Sequence, residues 1–147
     1  MSVYSHERLI SQEQVLDTNV DNRWKVLPTG LDFDEDGRPQ AARATFSLYT
    51  DEAFYGFGDS FTELDKRGRK FEIWQRDALS TNSEHSYKGQ PFFISSRGFA
   101  IFLNTYTRSH FDMGMSSQLS WQMASEDGTM DYLFFVAVSD NPYKELV

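Results

Sequence analysis

Hydrophobic and polar positions alternate with a period of two along much of the chain. Ala44, Phe46 and Leu48 are interleaved with Thr45, Ser47 and Tyr49, and Leu119, Trp121 and Met123 with Ser120 and Gln122. This period puts successive side chains on opposite sides of an extended backbone, so both segments read as half-buried strands. Three other runs, 92–94, 99–103 and 132–138, are apolar without alternation. Such runs predict strands covered on both faces, as in the middle of a sandwich. Asp36-Gly37, Arg97-Gly98 and Asp127-Gly128 each sit between apolar runs. Glycine supplies the positive φ that a tight hairpin turn needs. The pattern as a whole predicts an all-β protein, a sandwich or barrel of short antiparallel strands.

Helical signals are few. Ser11-Gln12-Glu13-Gln14 has capping-box spacing and predicts one short turn. Near the end, Asp140 and Asn141 can cap, Pro142 suits a first helical position, and Tyr143 to Leu146 would continue a helix. A helix beginning so close to Val147 leads to the expectation that the natural chain runs on.

Composition narrows the function classes. The 147 residues include 14 Lys and Arg against 22 Asp and Glu, a formal net charge of −8. Nucleic acid and anionic membrane surfaces both call for a basic face, so neither is an expected partner. Aromatics make up 16% of the chain, which argues for a packed core rather than disorder. With no cysteine, disulfides, thiolate zinc sites and cysteine nucleophiles are excluded. His6, His85 and His110 are too far apart to form a local metal motif, and no metal or other cofactor is expected. Met1 to Gln14 is polar, without the apolar stretch of a signal peptide, and a cytoplasmic setting is the expectation.

Four local motifs have a chemical reading and a plainer one. Asp32 to Gly37 has the D-x-D-x-D-G start of a calcium loop. Its twelfth position is Arg43, a cation where a bidentate carboxylate is needed, so a hairpin with solvated acids is expected. Gly56-Phe57-Gly58 could open a phosphate loop, but the third glycine position is Phe61. A backbone bend or close approach is the better reading. The basic cluster from Asp65 to Lys70 reads as a solvated loop with local ion pairs. Trp74-Gln75-Arg76-Asp77 places an aromatic face, a guanidinium fork and a carboxylate together, which is what a sugar needs. A core Trp beside a surface ion pair is the simpler alternative. Nothing in the spacing of the 22 acids selects a catalytic pair for glycoside hydrolysis.

Longer runs add what spacing does not. Phe54-Tyr55-Gly56-Phe57-Gly58-Asp59-Ser60-Phe61, then Leu64 to Gly68, then Ile73-Trp74 to Asp77, resemble the N-terminal domain of glycoside hydrolase family 31, the family of α-glucosidases and α-xylosidases. The resemblance continues through Tyr87 to Phe102, at Phe111-Asp112-Met113-Gly114 and at Asp131 to Phe134. It implies a galactose-mutarotase-like β-sandwich packed against a (β/α)8 barrel. It also implies retaining hydrolysis of α-glycosidic bonds through two Asp residues of that barrel. On this reading residues 1–50 carry N-terminal strands, 51–139 the core of the sandwich, and 140–147 the start of a link toward the barrel. No catalytic residue is expected in this chain. The resemblance further implies that Asp77 contacts oligosaccharide hydroxyls from a loop over the barrel mouth, with Arg76 as second contact and Trp74 supporting the loop. The first fifty residues look short of strands, so an incomplete sandwich is an expectation. Its exposed edges and barrel-facing surface would favour a homo-oligomer. A free-standing carbohydrate-binding or interaction module is the alternative.

Overall fold

The computed structural model describes residues 2–5, 8–12, 28–58, 63–74 and 89–137. These form eleven strands: β1 (Ser2–Ser5), β2 (Arg8–Gln12), β3 (Thr29–Phe33), β4 (Pro39–Ser47), β5 (Phe54–Gly58), β6 (Lys70–Ile73), β7 (Gly89–Ser95), β8 (Phe99–Leu103), β9 (Ser109–Asp112), β10 (Ser120–Ser125) and β11 (Tyr132–Val136). The sheet orders are β3-β4-β10-β9-β6 and β11-β8-β7-β5, with β1 and β2 in a separate hairpin. Every pairing is antiparallel. The all-β sandwich expected from the alternating pattern is present; the first fifty residues supply two strands of its five-stranded sheet, β3 and β4, and the separate β1–β2 hairpin.

Two facing layers of apolar side chains, mostly aromatic, make the core. From the five-stranded sheet come Phe46, Phe71, Phe111, Trp121 and Met123; from the four-stranded sheet come Phe54, Phe93, Phe99, Ile101 and Leu103. Phe46 stacks on Trp121 at 4.3 Å between ring centroids, and Phe93 meets Trp121 edge-on at 5.3 Å. Phe57 enters this core by an unusual route. Its φ is +68°, between Gly56 at +132° and Gly58 at +79°, and the β5–β7 register shifts there. The bulge brings the ring against Phe71, Phe93 and Phe111, at 4.8, 5.4 and 4.9 Å. The glycine pair therefore serves backbone bending and close approach, as its spacing suggested.

Two of the three expected hairpins form. In the β3–β4 turn, Gly37 has φ +76°, and Asp34 Oδ1 accepts from the backbone N–H groups of Asp36 and Arg38, at 3.0 and 2.7 Å. Asp34→Ala removes both bonds and is expected to cost about 1 kcal/mol, read as a lower urea midpoint at unchanged m. Gly98, with φ +90°, turns the chain from β7 into β8. Asp127-Gly128 is different: it joins β10 to β11, which lie in different sheets, so it crosses the sandwich instead of closing a hairpin.

Several local expectations need correction. Tyr132–Val136 is not covered on both faces: Leu133 is 53% and Phe135 42% exposed, and among the described strands it lies at the edge of its sheet. An apolar run cannot reveal whether a neighbour lies beyond it. Leu119 is exposed, and β10 begins one residue later. Ser11 and Gln12 end strand β2, where Ser11 is buried, and do not start a helical turn. The basic segment is not simply solvated. Lys66 is buried, with Nζ donating to the Glu63 carbonyl at 2.7 Å. Arg67 donates to the carbonyls of Tyr49 and Glu52, at 2.7 and 2.6 Å. Arg69 and Lys70 do keep surface ion pairs, with Glu63 at 3.0 Å and Asp112 at 3.4 Å. The expected helix at 140–146 lies outside the described residues.

The two outer sheet faces differ sharply. Outside the five-stranded sheet the β9 and β6 positions are His110, Asp112, Lys70 and Glu72. Outside the four-stranded sheet the paired positions are Leu133, Phe102 and Phe92 in one row, and Phe135, Ala100, Ile94 and Tyr55 in the next.

Candidate functional site

Strand β6 ends at Ile73, where its pairing with β9 stops at Ser109. Phe71 faces the core, so the alternation sends Glu72 outward and Trp74 follows at the strand's end. Trp74 is 43% exposed, which overturns the simpler reading of it as a core residue. The Arg108 guanidinium carbon lies 5.6 Å from the Trp74 ring centroid. Arg108 is held there by Glu72 at 3.4 Å and Glu126 at 4.0 Å. The chain leaves the described region after Trp74 and returns at Gly89 in β7. Asp77 and Arg76, the residues expected to touch sugar, lie outside the described residues.

A cleft of about 330 Å³ opens beside Trp74. Ile73, Trp74 and Pro91 form its apolar side, and Thr105, Thr107 and Ser109 contribute hydroxyls. Tyr106, 98% exposed, stands at its rim. The Ser109 hydroxyl is buried and has no hydrogen-bond partner among the described residues. Such an orphaned donor-acceptor group can serve an incoming hydroxyl.

The Thr105–Thr107 rim is rigidly braced. Thr105 Oγ1 lies 2.9 Å from Thr107 Oγ1, 3.0 Å from Ser125 Oγ and 3.1 Å from Asp127 Oδ2. Asp127 also accepts from Ser125 Oγ and from the backbone N–H and hydroxyl of Thr129. Burial alone would raise the Asp127 carboxyl, but these hydrogen bonds outweigh it and hold it below the usual carboxylate range. A carboxylate so anchored keeps Tyr106 presented at the loop tip.

Chemically, the described part of the cleft offers aromatic surface, hydroxyls and a nearby guanidinium. Such a set is chemically suited to a polyhydroxylated ring, whose C–H groups can meet apolar faces and whose hydroxyls can meet polar atoms. Among its described lining residues there is no carboxylate. The sequence singles out Trp74 but not Tyr106 or Ser109, which line the same cleft. The available signal was the triplet Thr105-Tyr106-Thr107, an aromatic between two hydroxyls after an apolar strand. Among the described residues no group of three or more His, Asp or Glu is placed to hold a metal ion.

The sequence profile described as the glycosyl hydrolase 31 N-terminal galactose mutarotase-like domain matches residues 3–112. The chain belongs to this family. Among relatives of known activity, it is 31% identical to the α-xylosidase XylQ of Lactiplantibacillus pentosus over 108 residues, 74% of this chain. It is 32% identical to an α-xylosidase of Emericella nidulans over 104 residues, 71% of this chain. The matched stretch covers only 14% and 13% of those proteins. A Flavobacterium johnsoniae GH31 dextranase solved with glucose superimposes with a TM-score of 0.76. That match covers 99% of this chain and 16% of the dextranase, at 24% identity, and speaks for the shared fold. The galactose-mutarotase-like sandwich of this family is thus the fold seen here.

Proposed function

We propose that this chain is the N-terminal β-sandwich of a retaining α-glycosidase whose catalytic Asp pair lies in a (β/α)8 barrel of the same polypeptide. The observation that carries the reading is the family match over residues 3–112, made by a chain that spans about one-seventh of its α-xylosidase relative. Residues 51–139 act as the core of the sandwich, residues 1–50 add N-terminal strands, and 140–147 lead toward the barrel. The apolar outer face of the four-stranded sheet supports a packed neighbour. Leu133 and Phe135 there are the kind of exposed apolar surface that a second domain covers. A free-standing binding module would leave Leu133 and Phe135 in water, which makes the module the weaker reading.

In the intact enzyme, Asp77 accepts hydrogen bonds from substrate hydroxyls and Arg76 donates in its planar fork. Trp74, fixed by β6 and Arg108, holds the start of their loop. The domain positions the sugar and the barrel performs the chemistry. A charge-assisted hydrogen bond contributes about 1.5–3 kcal/mol, so Asp77→Ala is expected to lower kcat/KM on an α-xyloside or maltose by about 10–150-fold. Steady-state kinetics on the intact enzyme check this, and an unchanged kcat/KM removes Asp77 from the site.

A further inference from the structure

The outer face of the five-stranded sheet carries a cleft of about 570 Å³, larger than the one at Trp74 and within the roughly 300–1,000 Å³ of ligand sites. Strand register builds its floor. Thr45, Gln122, Asp112 and Lys70 are cross-strand partners in one row over four strands. In the next row Ala124 lies between Arg43 and His110, and its short side chain deepens the floor. Ser116 and Ser117, from the loop after β9, form a wall.

Charge balance restricts what this cleft can take. Lys70 faces Asp112 at 3.4 Å, and His110 Nε2 is 2.7 Å from Glu126. Glu72 faces Arg108 at 3.4 Å, and Arg43 pairs with Asp32. An ionic ligand would have to break one of these pairs. A neutral polyhydroxylated ligand would not, because a hydroxyl both donates and accepts. The row also offers open valence. Gln122 Nε2 donates to Thr45 Oγ1 at 2.9 Å, which leaves the amide oxygen and second amide hydrogen with no partner among the described residues. Asp112 remains an acceptor. Burial alone would raise its carboxyl, but hydrogen bonds from Ser116 and Met115 and the Lys70 charge hold it low.

We infer that this cleft is a second saccharide site, separate from the Trp74 cleft, that holds a neutral oligosaccharide through Gln122, Asp112 and Lys70, with the buried Thr45 fixing the Gln122 amide beneath it. The choice of sugars among polyhydroxylated ligands rests on the proposed function. Phe71 and Phe111 line the cleft but are buried in the core, so no exposed aromatic face is offered and the site binds weakly, with a Kd on the order of 1 mM. The test is a titration of the full chain with maltotriose, isomaltotriose and an α-xylosyl glucoside, followed by amide NMR shifts. Shifts centred on Thr45, Asp112 and Gln122 are expected with at least one sugar. Gln122→Ala should weaken that binding about tenfold, and Ala124→Leu, which fills the floor without deleting a hydrogen bond, should abolish it. Trp74→Ala should leave it unchanged. No shift on this face at sugar concentrations about tenfold above the expected Kd overturns the inference. So does binding that Trp74→Ala abolishes and Ala124→Leu spares. Asp77→Ala kinetics are independent of this cleft, so failure of the second site and failure of the glycosidase reading are told apart.

Discussion

Glu52→Gln is expected to flatten a pH dependence of stability that the native chain shows between about pH 4.5 and 7. Glu52 is fully buried, and burial pushes its carboxyl up from 4.5 to about 7. The Ser95 hydroxyl at 2.6 Å, the Tyr49 N–H at 3.2 Å, and the charges of Arg97 and Arg67 pull the other way without prevailing. Their geometry explains why. Arg67 donates to the carbonyls of Tyr49 and Glu52, and Arg97 to those of Leu9 and Ile10, so neither guanidinium forks onto the carboxylate. The native carboxyl holds its proton more tightly than the unfolded chain does. Stability from this group is therefore fully present below about pH 4.5 and is lost as pH rises toward 7. The loss is on the order of 3 kcal/mol. Asp112 and Asp127, held low, act in the opposite sense and remove stability only below their ordinary values near 3.8. Gln keeps the shape and the Ser95 contact but cannot ionise. Urea melts at pH 5 and pH 8 should therefore differ for the native chain and converge for the variant. An equal drop in both would show that Glu52 is not the titrating group.

Gly56→Ala should abolish folding. At φ +132° an added Cβ would lie 2.6 Å from the Phe92 carbonyl oxygen and 2.9 Å from the Phe93 Cα. Both atoms belong to the backbone of β7, the neighbouring strand, and cannot swing aside. The clash adds to the cost of a backbone region almost closed to L-residues, for about 4 kcal/mol or more in total. Gly37→Ala is the matched control. Its φ is +76° but no atom lies within 4 Å of the added Cβ, so it should cost only about 1 kcal/mol. Circular dichroism and soluble yield of the two variants separate the effects; a folded, stable Gly56→Ala chain would mean that β5 can move off β7.

Strand existence was legible because alternation is a local property. Phe46 and Trp121 sit on alternating segments and both reach the core. Partner choice was less legible. Nothing near Asp127-Gly128 says that the next strand joins the other sheet, since that depends on β8 already offering its edge to β11. The inward turn of Arg67 and Lys66 was hidden for a related reason: their acceptors are carbonyls of residues 49, 52 and 63, and carbonyls carry no side-chain signal. At the candidate site the motif containing Trp74 was readable, whereas Tyr106 and Ser109 join it only through the β6–β9 pairing. The cleft on the five-stranded face was invisible for the same cause. Its row of Thr45, Gln122, Asp112 and Lys70 exists only once four strands are in register.

The order of strands also sets a schedule for synthesis. Ser47 at the end of β4 pairs with Ser120 at the start of β10, and Phe46 finds its stacking partner only in Trp121. At translation rates of about 5–20 residues per second, β4 waits several seconds on the nascent chain before that partner emerges. During that interval a sticky strand with an open ladder is available to ribosome-bound chaperones, which makes this domain a candidate for their early attention.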